Sequence, residues 1–127
     1  MPTITVDGRS VDVEHGSKLV LAIEALGIDI GHRCGGKARC TTCRVEFQDG
    51  EPELFTRAEY RKLQDAGLLD AARLSCQVLV EHDMAVKVLK TLQSEGWADT
   101  GPAVASELTP DAERFARASL EAEAPLA

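Results

Sequence analysis

Polar and apolar residues alternate at the start of the chain, where Thr3 and Thr5 interleave with Ile4 and Val6. A period of two marks a half-buried strand, and the Asp7-Gly8 pair that follows is a hairpin turn signal. Ser10–Val13 is expected as the returning strand. The period then changes. Leu19, Ala22, Ile23 and Leu26 recur at steps of three and four, which predicts a helix over Lys18–Leu26. Ser17 stands at the expected N-cap and Gly27 at the expected C′ position. Ile28 and Ile30 return to alternation.

Period two resumes over Arg44–Phe47, with Val45 and Phe47 on one face and Asp49-Gly50 as the closing turn. Thr56-x-x-Glu59 is a capping box and predicts a second helix to about Ala66, with Gly67 past its end. Leu68, Leu69, Ala71 and Ala72 predict a short helical turn. Leu74–Val80 is expected as a strand with Cys76 at its entrance. Met84–Leu89 is expected as the last strand, after a turn at 81–83. Helical continuation over 90–93 is compatible with the pattern.

The composition changes at Ser94. Gly96, Asp99, Gly101 and Pro102 read as linker. Thr109-Pro110 has the form of an N-cap and first helical residue. Ala112, Phe115, Ala116 and Leu120 would line one face of that third helix, and Pro125 would end it. The expected fold class is α+β. The domain spans 1–93, and 94–127 forms a linker and C-terminal helix extension. A chain of 127 residues has room for one modest core.

The chemistry is concentrated in the cysteines. Three of the four lie within Cys34-Gly35-Gly36-Lys37-Ala38-Arg39-Cys40-Thr41-Thr42-Cys43, and the fourth lies in Arg73-Leu74-Ser75-Cys76-Gln77. The spacing is C-x5-C-x2-C followed by a distant cysteine. A [2Fe–2S] cluster needs four thiolates in two pairs, wrapped by backbone whose N–H groups turn toward negative sulfur. Gly35 and Gly36 permit that close approach. Cys34, Cys40, Cys43 and Cys76 are the candidate metal and cofactor ligands. A structural zinc site would use two short knuckles, whereas here only Cys40 and Cys43 form one. Disulfides suit three crowded cysteines poorly. A redox dithiol would open a helix, but Cys43 leads into the expected strand at Arg44.

These residues resemble the [2Fe–2S] ferredoxins of the β-grasp type. The resemblance rests on the Cys-Gly-Gly loop, on Arg73-Leu74-Ser75-Cys76-Gln77, and on the strand–turn–strand–helix before the loop. It covers about residues 3–90. The C-x5-C spacing is similar to that of the adrenodoxin type. The Cys-Gly-Gly-x-x-Arg-Cys-x-x-Cys-Arg-Val run is similar to ferredoxin domains attached to some adenylate cyclases and corrinoid-protein activators. The resemblance implies a β-grasp domain with Cys34 and Cys40 on one iron and Cys43 and Cys76 on the other. It implies a one-electron carrier, not an enzyme, working between a reductase and an acceptor redox enzyme. The acidic docking helix of adrenodoxin-like proteins is not matched. Here Glu59, Asp65 and Asp70 are offset by Arg57, Arg61, Lys62 and Arg73. The alternative is a regulatory or protective Fe–S module that docks on a partner enzyme through the C-terminal helix.

Charge narrows the partners. A net charge of −7 argues against nucleic acid. Arg33, Lys37, Arg39 and Arg44 make the cysteine loop locally positive, so it would cover an anionic cluster of formal charge about −2. No run approaches about eighteen apolar residues, so no membrane helix is expected. The chain opens Met-Pro-Thr without an apolar leader, and a reducing cytoplasm is expected. A monomer or weak homodimer is expected. His32 reads as an exposed loop residue, His15 and His82 as turn residues, and Tyr60 and Trp97 as packing residues.

Overall fold

The computed structural model describes residues 1–28, 30, 31, 43–89, 91, 95, 96 and 113–121. Its frame is a five-stranded mixed sheet. Strands β1 (Thr3–Val6) and β2 (Arg9–Asp12) form the opening hairpin. Asp7 and Gly8 both take positive φ, 50° and 82°, as a two-residue primed turn requires. Ile4 and Val6 are fully buried, while Thr3 and Thr5 hydrogen-bond to Asp12 and Ser10 on the outer face.

The strands that follow among the described residues are β3 (Ser17–Lys18), β4 (Arg44–Asp49), β5 (Leu54–Phe55), β6 (Arg73–Leu74), β7 (Leu79–Val80), β8 (Met84–Val88) and β9 (Phe115–Ala116). The large sheet runs β2-β1-β8-β4-β6. β8 lies parallel to β1, with Ile4 opposite Met84, and antiparallel to β4, with Val45 opposite Val88. With α1 (Leu19–Ala25) packed on this mixed sheet, the arrangement is the expected β-grasp.

The entry to α1 differs from expectation. Ser17 is not its cap: the Ser17 hydroxyl donates to the Glu14 carbonyl at 2.7 Å, and Lys18 holds the N-cap position without a side-chain cap. The reason is tertiary. Ser17 and Lys18 pair with Val80 and Leu79, and the Leu19 N–H donates to the Val78 carbonyl at 2.8 Å. The residue just before β7 therefore satisfies a donor that a cap would otherwise serve. At the other end Gly27 takes φ +82° and donates to the Glu24 carbonyl, as a C′ residue does.

Helix α2 (Arg57–Asp65) follows its local signals at both ends. Thr56 Oγ1 accepts from the Glu59 N–H at 3.1 Å. Beyond the helix, the Leu68 and Gly67 amides return to the Leu63 and Gln64 carbonyls, a Schellman end. The expected turn over 68–72 is present, with the Ala71 and Ala72 amides donating to the Leu68 carbonyl.

The C-terminal segment is a correction. The expected third helix includes Phe115 and Ala116, but these form β9, paired with Phe55 and Leu54 of β5. Of the described residues there, only Arg117–Glu121 is helical, as α3. The open edge of β5 takes the backbone that a continuous helix would have closed on itself. Phe115 stacks under the Arg57 guanidinium at 4.7 Å, and Leu120 is buried. Thr109, Pro110, Ala112, Pro125 and Trp97 lie outside the described residues. Among the described residues, no helix is long and apolar enough to cross a membrane.

Candidate metal centre

The β4–β6 ladder sets the described half of the site. Arg44 lies opposite Leu74, so Cys43 and Ser75 follow as the next facing positions. The Ser75 amide and hydroxyl both donate to the Cys43 carbonyl, at 3.1 and 2.8 Å. Cys43 is 1% exposed and Cys76 fully buried. A hydrogen-bonded clamp thus ties Cys43 to the residue before Cys76, and both cysteines are buried. Cys34 and Cys40, with His32 and the glycines between them, lie outside the described residues.

Cys76 is expected from the sequence at the entrance of a continuous strand. It lies instead in a 3₁₀ turn, Ser75–Gln77, between β6 and β7. The turn closes with the Val78 amide on the Ser75 carbonyl at 3.4 Å. Ser75, Cys76 and Gln77 are all buried. A strand would point alternate side chains to opposite faces, whereas a tight turn can direct three successive residues inward.

The buried polar side chains of Ser75, Gln77, Thr56, Glu59 and Arg73 form a connected set of contacts around this turn. Gln77 Nε2 donates to Cys76 Sγ at 3.7 Å, and Gln77 Oε1 accepts from Thr56 Oγ1 at 2.6 Å. One step upstream, Arg73 Nε and Nη2 donate to the two Glu59 oxygens, each at 2.9 Å. Arg73 also donates to the Pro52 and Leu54 carbonyls at 2.7 and 2.8 Å. Its guanidinium lies 3.8 Å over the Phe55 ring. Glu59 Oε2 further accepts from the Leu74 amide at 2.9 Å. Burial pushes the Glu59 carboxyl above its ordinary 4.5, against the pull of Arg73 and the Leu74 N–H. In the sequence, Glu59 and Arg73 pass for offsetting surface charges, and Thr56 for a helix cap alone.

The donor set suits a thiolate-held iron–sulfur group. Buried sulfurs in apolar surroundings are shielded from water, and an N–H aimed at sulfur favours the charged ligand. Among the described residues, no group of three His, Cys, Asp or Glu side chains offers a competing metal site.

The comparisons with known proteins point to the same kind of cofactor. A family model described as a 2Fe-2S iron-sulfur cluster binding domain matches residues 3–81. The 2Fe-2S ferredoxin of Haemophilus influenzae is 33% identical over 92 residues, covering 66% of this chain and 78% of that protein. One chain of the Na(+)-translocating NADH-quinone reductase of Chlamydia pneumoniae is 36% identical over 91 residues, covering 69% of this chain. The present chain spans only about a fifth of the length of that relative, 20%. Among solved structures, the ISC-like [2Fe-2S] ferredoxin FdxB of Pseudomonas putida superimposes with a TM-score of 0.60 at 27% identity. That match covers 71% of this chain and 94% of the other. The covalent putidaredoxin reductase–putidaredoxin complex includes a chain with a TM-score of 0.53 at 31% identity, covering 68% and 96%.

Proposed function

This chain belongs to the family of 2Fe-2S iron-sulfur cluster binding domains, and we propose that Cys34, Cys40, Cys43 and Cys76 are the four ligands of one [2Fe–2S] cluster through which it carries single electrons between a reductase and an acceptor redox enzyme. The observation that carries this reading is the clamp between Ser75 and Cys43, which sets Cys43 beside the turn that bears Cys76. When bound, such a cluster stores and releases one electron without breaking a covalent bond.

The residues around it have separable roles. Ser75 fixes the backbone that carries Cys43. The Glu59–Arg73 pair anchors β6, the strand that leads into Cys76. Gln77 offers an N–H to the Cys76 sulfur. The reductase–putidaredoxin complex supports a reductase as one partner by analogy with a similar chain. Thiolate ligands persist in a reducing compartment, and the cytoplasm is the location proposed. The chain is proposed to act as a monomer or weak homodimer.

We take 1–93 as the cluster domain and 94–127 as an extension. Leu120 is buried, and Arg117 and Arg114 pair with Asp70 and Glu81 of the same chain. These contacts give α3 a place on its own domain and favour the carrier reading over docking through that helix.

The test is metal analysis with optical and EPR spectra before and after dithionite. Two irons and two sulfides per chain, with visible bands that bleach as an S = 1/2 signal appears, are expected. Cys34→Ser should lose the cluster. A colourless protein holding one zinc would overturn the reading.

A further inference from the structure

The side-chain amide of Gln77 lies between a hydroxyl and a sulfur. Its Nε2 is 3.7 Å from Cys76 Sγ, and its Oε1 is 2.6 Å from Thr56 Oγ1. Gln77 is 1% exposed and Thr56 is fully buried, so bulk water competes for neither contact. An amide has a donating end and an accepting end, and its neighbours decide which end faces which.

Here the neighbours give one consistent answer. A ligating thiolate only accepts, so the end facing Cys76 must be the NH₂. The Gln77 oxygen then faces Thr56 and needs a donor. Thr56 Oγ1 already accepts the Glu59 N–H at 3.1 Å. That bond occupies a lone pair and leaves the hydroxyl hydrogen to point at Gln77 Oε1. The chain of bonds therefore runs in one direction: Glu59 N–H to Thr56, Thr56 O–H to Gln77, Gln77 N–H to Cys76 sulfur.

We infer that Thr56 is a positioning residue for the cluster: it pins the Gln77 amide so that Nε2 donates to Cys76 sulfur and raises the reduction potential. The inference rests on the proposed role of Cys76 as a ligand. Reduction adds one electron, and the extra negative charge spreads onto the sulfurs. A hydrogen bond to sulfur stabilises the reduced form more than the oxidised form. Burial keeps that difference from being diluted by solvent. Removing the hydroxyl takes away the 2.6 Å bond that draws the amide oxygen toward Thr56, and the donor to sulfur weakens.

The experiment is a midpoint-potential titration of the full chain, reconstituted with iron and sulfide and checked for two irons. Wild type is compared with Thr56→Val, Thr56→Ser, Gln77→Leu and the Thr56→Val/Gln77→Leu double variant. Thr56→Val and Gln77→Leu should each lower the midpoint, by up to about a tenfold change in the oxidised-to-reduced ratio, or 59 mV for one electron. Thr56→Ser should stay at the wild-type value. The double variant should match Gln77→Leu, because Thr56 acts through that amide.

An unmoved midpoint in Thr56→Val with two irons bound overturns the inference, and so does full additivity in the double variant. A role as helix cap alone would lower the melting temperature without moving the midpoint. Gln77→Leu leaves the cap intact, so if Thr56→Val fails to hold iron, an unmoved midpoint in Gln77→Leu overturns the inference by itself. Wild-type protein that takes up zinc, or no iron on anaerobic reconstitution, overturns the ligand assignment instead, and metal analysis tells the two failures apart.

Discussion

Arg73 grips Glu59 in a two-pronged contact inside the protein: Nε and Nη2 each lie 2.9 Å from a carboxylate oxygen, and the two side chains are 2% and 0% exposed. The pair joins α2 to β6. Because Leu74 also donates to Glu59, the same carboxylate sets the backbone just before the turn that bears Cys76.

Glu59→Gln should therefore destabilise the fold by up to about 3–5 kcal/mol, since it removes the guanidinium's buried counter-charge and leaves only the 3.5 Å contact to the exposed Glu51 carboxylate. Arg73→Lys should not preserve wild-type stability, because an ammonium cannot reproduce the fork or the bonds to Pro52 and Leu54. Urea unfolding midpoints check both. The loss is a large share of the roughly 5–15 kcal/mol that holds an ordinary domain together.

Gly50 and Gly8 both take positive φ, yet Ala substitutions should separate them. At Gly8 a Cβ meets nothing within 4 Å, so Gly8→Ala should cost about 1–2 kcal/mol for the left-handed backbone alone. At Gly50 the added Cβ would lie 2.3 Å from the Asp83 carbonyl oxygen. Gly50→Ala should exceed Gly8→Ala in thermal destabilisation, and equal melting temperatures would contradict this account.

Acid should loosen the C-terminal segment. Hydrogen bonds from Arg114 hold Glu81 below its ordinary 4.5, and a hydrogen bond from Arg117 holds Asp70 below its ordinary 3.8. Both carboxyls have folded values below their unfolded ones. Their contribution is thus complete above the unfolded values and lost as pH falls through the folded ones. Hydrogen exchange at Phe115 and Ala116, corrected for intrinsic rates, should gain relative to β1 once pH drops below 3.8. Arg114→Ala should flatten part of that difference.

Ser75→Ala should remove the hydroxyl donor to the Cys43 carbonyl while keeping the Ser75 amide donor. The expected cost is about 1 kcal/mol. The functional measure is the rate at which an iron chelator bleaches the reconstituted protein, which should rise.

The parts of the fold legible from sequence are those written in short-range chemistry. Asp7-Gly8 announces its hairpin, and Thr56 and Gly67 announce both ends of α2. What is not legible depends on partners far along the chain. Ser17 looks like a cap until Val80 pairs with it. Glu59 and Arg73 look like surface charges until folding brings them together. Phe115 and Ala116 fit a helical face until the edge of β5 is there to take them. In the candidate site the four-cysteine pattern is plain. Gln77 stands inside the same motif as Cys76, but its link to Thr56 crosses 21 residues and has no local signature.

The parallel pairing of β1 with β8 also constrains how the protein is made. Ile4 cannot meet Met84 until nearly the whole sheet has been synthesised. At roughly 5–20 residues per second, the loop cysteines leave the ribosome seconds before their strand framework can close. Pairing of such distant segments is also slow in its own right. During that interval the nascent chain carries its cysteines without a finished sheet, so loading of the proposed cluster would have to wait for β8 to pair with β1.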